Sequence, residues 1–178
     1  MNERTANPVS LPFAQIAWVV PDIRIAERFF CETIGIGGFV KLENVRAQDN
    51  AGTYRGAPGD YAFHLYLAYS GNSMLELIQP VSGTSIFDEF LRRQPQGGVQ
   101  HVAFMVDESE YAAAVSRLVR TGLMVTQTLE LPVAKVTFLD SESAIGTATE
   151  IIGLTEAGYG LVEEVKRVSQ SRASARVN

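Results

Sequence analysis

Four polar side chains lie in short β-like runs of mostly apolar residues, and their types are those that bind metal ions. His101 lies in "GGVQHVAFMV", Gln15 opens "QIAWVV", and Glu76 and Glu150 lie inside "SMLELIQP" and "TATEIIGL". A carboxylate in such a run is costly to bury unless it is paired, coordinated or hydrated. Imidazole, carboxylate and amide donors suit borderline divalent metals. Brought together, these residues predict a divalent-metal site for Zn, Co, Ni or Mn rather than Fe.

An internal repeat relates the two halves of the chain and would bring these residues together. The stretches beginning at Gln15 and His101 each open with a polar residue and continue as a β-rich run. An aspartate follows in each, Asp22 or Asp107, placed to cap an amphipathic helix that ends at a glycine. Each half then has room for two strands before its glutamate-bearing strand. These strands are predicted at 39–44 and 61–69 in the first half, and at 124–130 and 134–140 in the second.

Each half is therefore predicted to be a β-α-β-β-β module, and the fold class is α+β. We expect the two modules to form one curved mixed sheet that cups the metal site, with helices outside it. Gln15 and His101 open equivalent first strands, and Glu76 and Glu150 lie in equivalent last strands. The predicted single domain comprises an N-terminal extension (1–10), the first module (11–80), a linker with a short helix (81–98), the second module (99–154) and a C-terminal helix with a flexible tail (155–178).

From about Phe13 to Gly153 the chain resembles the vicinal oxygen chelate superfamily (glyoxalase/bleomycin resistance/dioxygenase), within it the methylmalonyl-CoA epimerase and glyoxalase I branch. The motifs that carry the resemblance are "QIAWVVPDI", "MLELIQP", "GGVQHVAFMVD" and "KVTFLDSESAIGTATEIIG". The family places a metal ligand on the first and last strand of each module. The resemblance therefore implies the same four ligands as above. A glutamine at the first position resembles the eukaryotic glyoxalase I arrangement, whereas epimerases usually carry histidine there.

His64, in "DYAFHLYLAY", is the predicted catalytic base. Strand alternation puts it on one face with Tyr66, and the more apolar opposite face is expected to pack under the helices. His64 would then point into the cup, where the resemblance places the catalytic glutamate of epimerases. A neutral imidazole accepts a proton near pH 7 without a large pKa shift. Glu150 is predicted to be the second catalytic residue, acting from the opposite side of the reacting carbon.

The function expected from these residues is that of a metal-dependent isomerase, epimerase or lyase acting through a metal-stabilised enolate. Its substrate would be a small carbonyl compound or thioester. A CoA thioester and an aromatic carbonyl compound are both candidates, with Tyr66, Trp18 and Phe104 as potential neighbours. One alternative is an iron-dependent dioxygenase, which requires two histidines and a carboxylate, so that His64 would have to be the second histidine. The other is a non-catalytic small-molecule binding protein of the same fold.

Composition excludes several other classes of function. The 178-residue chain has a formal net charge of −5 and gives no electrostatic footprint for nucleic acid or an anionic membrane. Its single cysteine excludes an intramolecular disulfide. No signal sequence or membrane span is recognisable, so we expect a cytoplasmic protein. The resemblance leaves room for a homodimer. The polar tail "KRVSQSRASARVN" is expected to be frayed.

Overall fold

The computed structural model describes residues 10–171, whose strands form one ten-stranded mixed sheet in the order β2-β5-β6-β1-β7-β10-β9-β8-β3-β4. The strands are β1 (Phe13–Val19), β2 (Val40–Arg46), β3 (Thr53–Tyr54), β4 (Ala57–Pro58), β5 (Tyr61–Ser70), β6 (Ser73–Gly83), β7 (Gly98–Asp107), β8 (Val125–Glu130), β9 (Ala134–Leu139) and β10 (Ala148–Leu154). The helices are α1 (Ile23–Arg28), α2 (Ile86–Arg93), α3 (Glu108–Arg120), α4 (Glu142–Ile145) and α5 (Glu156–Gln170). A π-helical turn (Phe29–Ile34) continues α1, and a 3₁₀ turn spans Gln48–Asn50.

The predicted α+β fold of two repeated modules is confirmed. In the first module β1 pairs in parallel with β6, and in the second β7 pairs in parallel with β10. The modules join through the antiparallel pair β1–β7, so that β6, β1, β7 and β10 lie side by side at the centre of the sheet. The sheet curls into a half-barrel. No helix within residues 10–171 combines the length and apolar character needed to cross a bilayer.

The two predicted helix caps differ in the structure. The Asp22 carboxylate accepts hydrogen bonds from the backbone N–H groups of Arg24 and Ile25, at 2.9 and 3.1 Å, and so caps α1 as expected. Asp107 also precedes its helix, but its side chain makes no capping bond to the described part of α3. Its carboxylate instead accepts a hydrogen bond from the Tyr159 hydroxyl. Asp107 therefore ties α5 to the end of β7.

The concave face of the sheet holds the main hydrophobic core, and each outer face packs against a helix. Phe63, Leu65 and Leu67 of β5 lie in the concave core. Outside it, α1 and its π-helical turn cover a cluster that includes Tyr66 and Leu77, and α3 covers a third cluster. The more apolar face of β5 packs under helices as predicted, but these are α2 and α5 on the concave side, so that face lines the cup instead of lying outside it. Both faces of β5 are in fact buried, by different partners.

Helix α5 lies across one end of the cup. Val165 is fully buried in the concave core, and Leu161 and Val162 pack against the same core. Near the end of the helix, the Ser169 hydroxyl accepts a hydrogen bond from the Tyr69 N–H at 2.8 Å, and the Ser169 carbonyl accepts one from the Gly37 N–H at 2.8 Å. The expectation of a frayed tail is therefore wrong for residues 166–170, which continue this helix, whereas residues 172–178 lie outside the described part of the chain.

Candidate metal centre

The four predicted ligand residues lie on the four central strands. Gln15 is on β1 and His101 on β7, and Glu76 on β6 and Glu150 on β10 flank them. In this order each module contributes one central and one flanking residue. The structure thus brings the four side chains to one place on the concave face, where all four are 6% exposed or less.

A β-bulge precedes each of the two central residues. Along the β1–β7 pair, Phe13 and Gln15 oppose Phe104 and Ala103, so Ala14 is the extra residue on β1. At the other end of the pair, Gln100 is the extra residue on β7, just before His101. A bulge adds a residue without a partner and re-aims the neighbouring side chains. The repeat therefore extends to the backbone irregularity that sets the direction of each side chain.

The polar atoms of the site converge at short distances. The Gln15 Nε2 donates hydrogen bonds to the Oε2 atoms of Glu76 and Glu150, at 2.9 and 3.1 Å. The His101 Nε2 lies 2.9 Å from the same oxygen of Glu76 and 3.3 Å from that of Glu150. Glu76, His101 and Glu150 each offer one ligand atom, and these atoms lie within 4.8 Å of one another. One nitrogen and two carboxylate oxygens thus surround a common point.

The His101 ring is oriented by Gln100. The ring Nδ1 lies 2.7 Å from the Gln100 Oε1, an acceptor, so Nδ1 carries the proton. In the neutral ring, the lone pair is then on Nε2, which faces the two carboxylates. Although Nε2 is close to both oxygens, it makes no contact of hydrogen-bonding geometry with any residue of the described chain. These contacts attract a charged ring, whereas in the neutral ring they leave the buried Nε2 lone pair without a hydrogen-bond partner.

The pKa values of His101 and Glu150 are both raised, but for different reasons. Complete burial alone would lower the pKa of His101, but its contacts with the carboxylates of Glu150 and Glu76 outweigh this and raise the pKa to about 9. For Glu150 it is burial that raises the pKa, and the nearby His101 opposes the shift. Without a bound cation, His101 and Glu150 therefore hold a proton more tightly than free side chains do.

These residues fit a divalent cation. For metal–ligand bonds of about 2.1 Å, two ligands at right angles lie about 3.0 Å apart. The observed contacts span 2.9 to 3.3 Å. Two carboxylates balance a dication, and an ion would give His101 Nε2 the partner it lacks. Rotation of the Gln15 amide, whose nitrogen faces the carboxylates, would present its oxygen to the same point.

An apolar cavity of about 80 Å³ adjoins the site. Gln15, Glu76 and Glu150 form its polar wall, and side chains of β5, β9 and α5 form much of the rest. Phe138 and Phe87 also line the cavity, and their rings lie 5.0 and 6.4 Å from the His101 ring, between centroids. The carboxylates therefore face a space suited to an apolar group.

His64 lies on the opposite face of the sheet, so the prediction that it points into the cup is wrong. In the β5–β6 register, Leu67 pairs with Glu76 and shares its face, whereas His64 pairs with Gln79. The His64 Nδ1 accepts a hydrogen bond from the Asn44 N–H at 3.1 Å. His64 cannot act as a base on a substrate in the cup. It also cannot be the second histidine that the iron dioxygenase alternative requires.

The aromatic residues expected near a substrate also lie elsewhere. Trp18 and Tyr66 belong to the cluster under α1, and Phe104 packs in the cluster under α3. Sequence reasoning missed the role of Gln100, which depends on the bulge. It predicted a C-terminal helix, but not that α5 lines the cup. The signal available for Gln100 was its position directly before the candidate ligand His101.

The comparisons with known proteins give one family. The profile of the "Glyoxalase/Bleomycin resistance protein/Dioxygenase superfamily" matches residues 14–138. No curated protein gives a significant match.

Several solved structures have the same fold at low sequence identity. A hypothetical protein from Bacillus halodurans is 20% identical, with a TM-score of 0.62, covering 83% of this chain and 97% of its own. Methylmalonyl-CoA epimerase from Mycobacterium tuberculosis is 17% identical, with a TM-score of 0.60 and coverage of 88% and 98%. A variant of Streptomyces coelicolor methylmalonyl-CoA epimerase in complex with 2-nitronate-propionyl-CoA is 20% identical, with a TM-score of 0.58 and coverage of 83% and 97%.

Proposed function

We propose that this chain, which belongs to the glyoxalase/bleomycin resistance protein/dioxygenase superfamily, is a metal-dependent isomerase that moves the α-proton of a small carbonyl compound or thioester. The observation that carries this proposal is the pair of buried carboxylates around one histidine nitrogen. Glu76 and Glu150 both contact His101 Nε2, and they come from equivalent strands of the two modules. Gln15, Glu76, His101 and Glu150 are the proposed metal ligands.

When bound, a divalent ion supplies Lewis acidity that polarises the substrate carbonyl and stabilises the negative charge of an enolate. Glu150 is the proposed base that takes the α-proton. A single bond to the metal would leave its second carboxylate oxygen free to accept that proton. Glu76 flanks the central strands from the other side, since β6 and β10 lie on either side of β1 and β7. Glu76 can therefore exchange a proton with the substrate from the opposite direction.

Phe87 and Phe138 restrict water around this proton transfer. Both are 2% exposed or less, and their rings pack near the His101 ring. Exclusion of water strengthens every charge interaction at the site. Gln100 holds the imidazole orientation through its contact with Nδ1.

For the substrate, we propose a CoA thioester. The support is the fold shared with epimerases that bind CoA thioesters, together with a second cavity of about 450 Å³ beside the site. This cavity is lined by Gln100 and by Ala148, which pairs with His101 in the sheet. Arginines also line it, and Arg55 and Arg93 bond Glu89 and Glu142 at 2.7 Å. Either arginine could bind the polar part of a substrate if it left its glutamate partner.

The test is exchange of the substrate α-proton with D₂O, followed by NMR, with propionyl-CoA and methylmalonyl-CoA as probes and Co²⁺-loaded protein. We expect exchange that depends on the metal, and a loss of at least about 100-fold in Glu150→Gln, the lower range for removal of a general base. Glu130→Gln, which changes an exposed glutamate at the end of β8, and His64→Asn should both exchange at the wild-type rate.

Two results would contradict the proposal. If metal-free protein exchanges the α-proton at the same rate as metal-loaded protein, the ion is not required for the reaction. If the Glu150→Gln variant exchanges the α-proton at the wild-type rate, Glu150 is not the base.

A further inference from the structure

We propose that α5 forms the wall of the pocket for the substituent on the reacting carbon, and that Leu161 and Val162 limit this substituent to about two or three carbon atoms. The inference rests on the proposed function, because it assigns the apolar cavity beside the carboxylates to part of the substrate. It goes further by naming the element that selects the substrate.

The first step is the composition of the cavity. Its polar wall is formed by Gln15, Glu76 and Glu150, and helix α5 contributes Gly158, Leu161, Val162 and Val165. The remaining lining is almost entirely aliphatic and aromatic side chains of the sheet. A group that enters this space from the metal site is thus apolar, and α5 forms part of the wall that it meets.

The second step is the size of the cavity. An apolar cavity of about 150 Å³ binds benzene, and typical ligand pockets are about 300–1,000 Å³. The cavity here is about 80 Å³. It therefore accepts an alkyl group smaller than a benzene ring and excludes a long acyl chain.

The third step is the rigidity of the wall. Gly158 lies so close to the Val133 carbonyl that a Cβ atom would be 2.1 Å from its oxygen. At the other end of the helix, Ser169 bonds to the backbone of Tyr69 and Gly37. Fixed at both ends, α5 defines the depth of the pocket, and its inward side chains set the remaining space.

The experiment measures ligand length without turnover. Straight-chain hydroxamates from two to eight carbons present two neighbouring oxygens to a metal and carry an alkyl tail of graded length. Their affinities for the Zn²⁺-loaded full-length protein are measured by isothermal titration calorimetry. Each buried methylene strengthens binding about fourfold. For the wild type, we expect affinity to rise up to a tail of two or three carbons and then to fall.

Two variants of the wall move this optimum in opposite directions. Leu161→Ala removes three side-chain carbons and should shift the optimum two to three carbons longer. Val162→Leu adds one carbon and should shift it about one carbon shorter. Leu118→Ala is the matched control, because it makes the same truncation in α3 on the outer side of the sheet and should leave the optimum unchanged.

The outcomes separate this inference from the proposed function. If hydroxamates bind with one length optimum in the wild type and in both α5 variants, α5 is not the selecting wall and only this inference is wrong. The same holds if Leu118→Ala shifts the optimum as much as Leu161→Ala. If no hydroxamate binds the Zn²⁺-loaded wild type, the proposed metal centre fails and this inference fails with it.

Discussion

Metal binding should release at least one proton from the site. In the metal-free protein, His101 lies between two carboxylates and its pKa is raised to about 9. At pH 7 its imidazole is therefore charged, whereas a metal requires the neutral ring. The raised pKa of Glu150 acts in the same direction.

The size of the effect follows from linkage. A group with a raised pKa holds its proton more tightly at any pH below that value, so the metal must displace it there. For one proton, the apparent affinity increases tenfold for each pH unit between 7 and about 9, which is about 1.4 kcal/mol per unit. Above about 9 the dependence on His101 should disappear, because the ring is already neutral.

The assay is calorimetric titration of metal-free protein with Zn²⁺ at one pH in two buffers that differ in ionisation enthalpy. The difference in heat gives the number of protons released, and titrations at several pH values give the slope. His64→Gln should release the same number of protons as the wild type, because His64 lies on the other face of the sheet. Heats that do not depend on the buffer, together with an affinity that is constant from pH 7 to 8.5, would refute the charged His101.

Two further predictions concern the supports of the site. Gln100→Leu removes the acceptor for His101 Nδ1 and should weaken Zn²⁺ binding about 10–100-fold in competition with a chromogenic chelator, whereas Gln100→Glu retains an acceptor and should bind near the wild-type level. Gly158→Ala forces a Cβ against the Val133 carbonyl and should lower the free energy of unfolding in urea by about 1–3 kcal/mol. Gly160→Ala, with open space at the same helix, should instead raise it by up to about 1 kcal/mol.

The repeat made the central part of the site predictable. Glu76 and Glu150 each interrupt an apolar strand, and Gln15 and His101 open equivalent strands, so one relation between the halves fixes all four positions. Alternation along a strand then gives a common face. The residue types and the alternation along each strand are local properties of the sequence, so they suffice to predict that these four side chains share a face.

The sequence misplaces His64 for a physical reason. Strand β5 has apolar partners on both faces, with Leu65 in the concave core and Tyr66 under α1. A strand buried on both faces carries no clear hydrophobic signal for which face is inside. The register with β6 decides it, and that register is a long-range property.

The contributions of Gln100 and α5 also depend on long-range structure. Gln100 meets His101 because a bulge interrupts the β1–β7 pair, and the bulge appears only when the two strands are aligned. The sequence predicts a C-terminal helix within residues 155–178, but it does not say which surface that helix covers. Its place over the cup follows from contacts with β5, near Tyr69, far away in the sequence.

The sharing of the site between the modules makes an ion a cross-link between two halves of the chain. Gln15 and Glu76 belong to one half, and His101 and Glu150 to the other. Local opening of either half would leave an ion with only two protein ligands, so release of the ion and loss of cooperativity between the halves become one event. An ion would then stay bound only while both halves of the sheet are folded. Its binding free energy would therefore stabilise the folded β1–β7 junction.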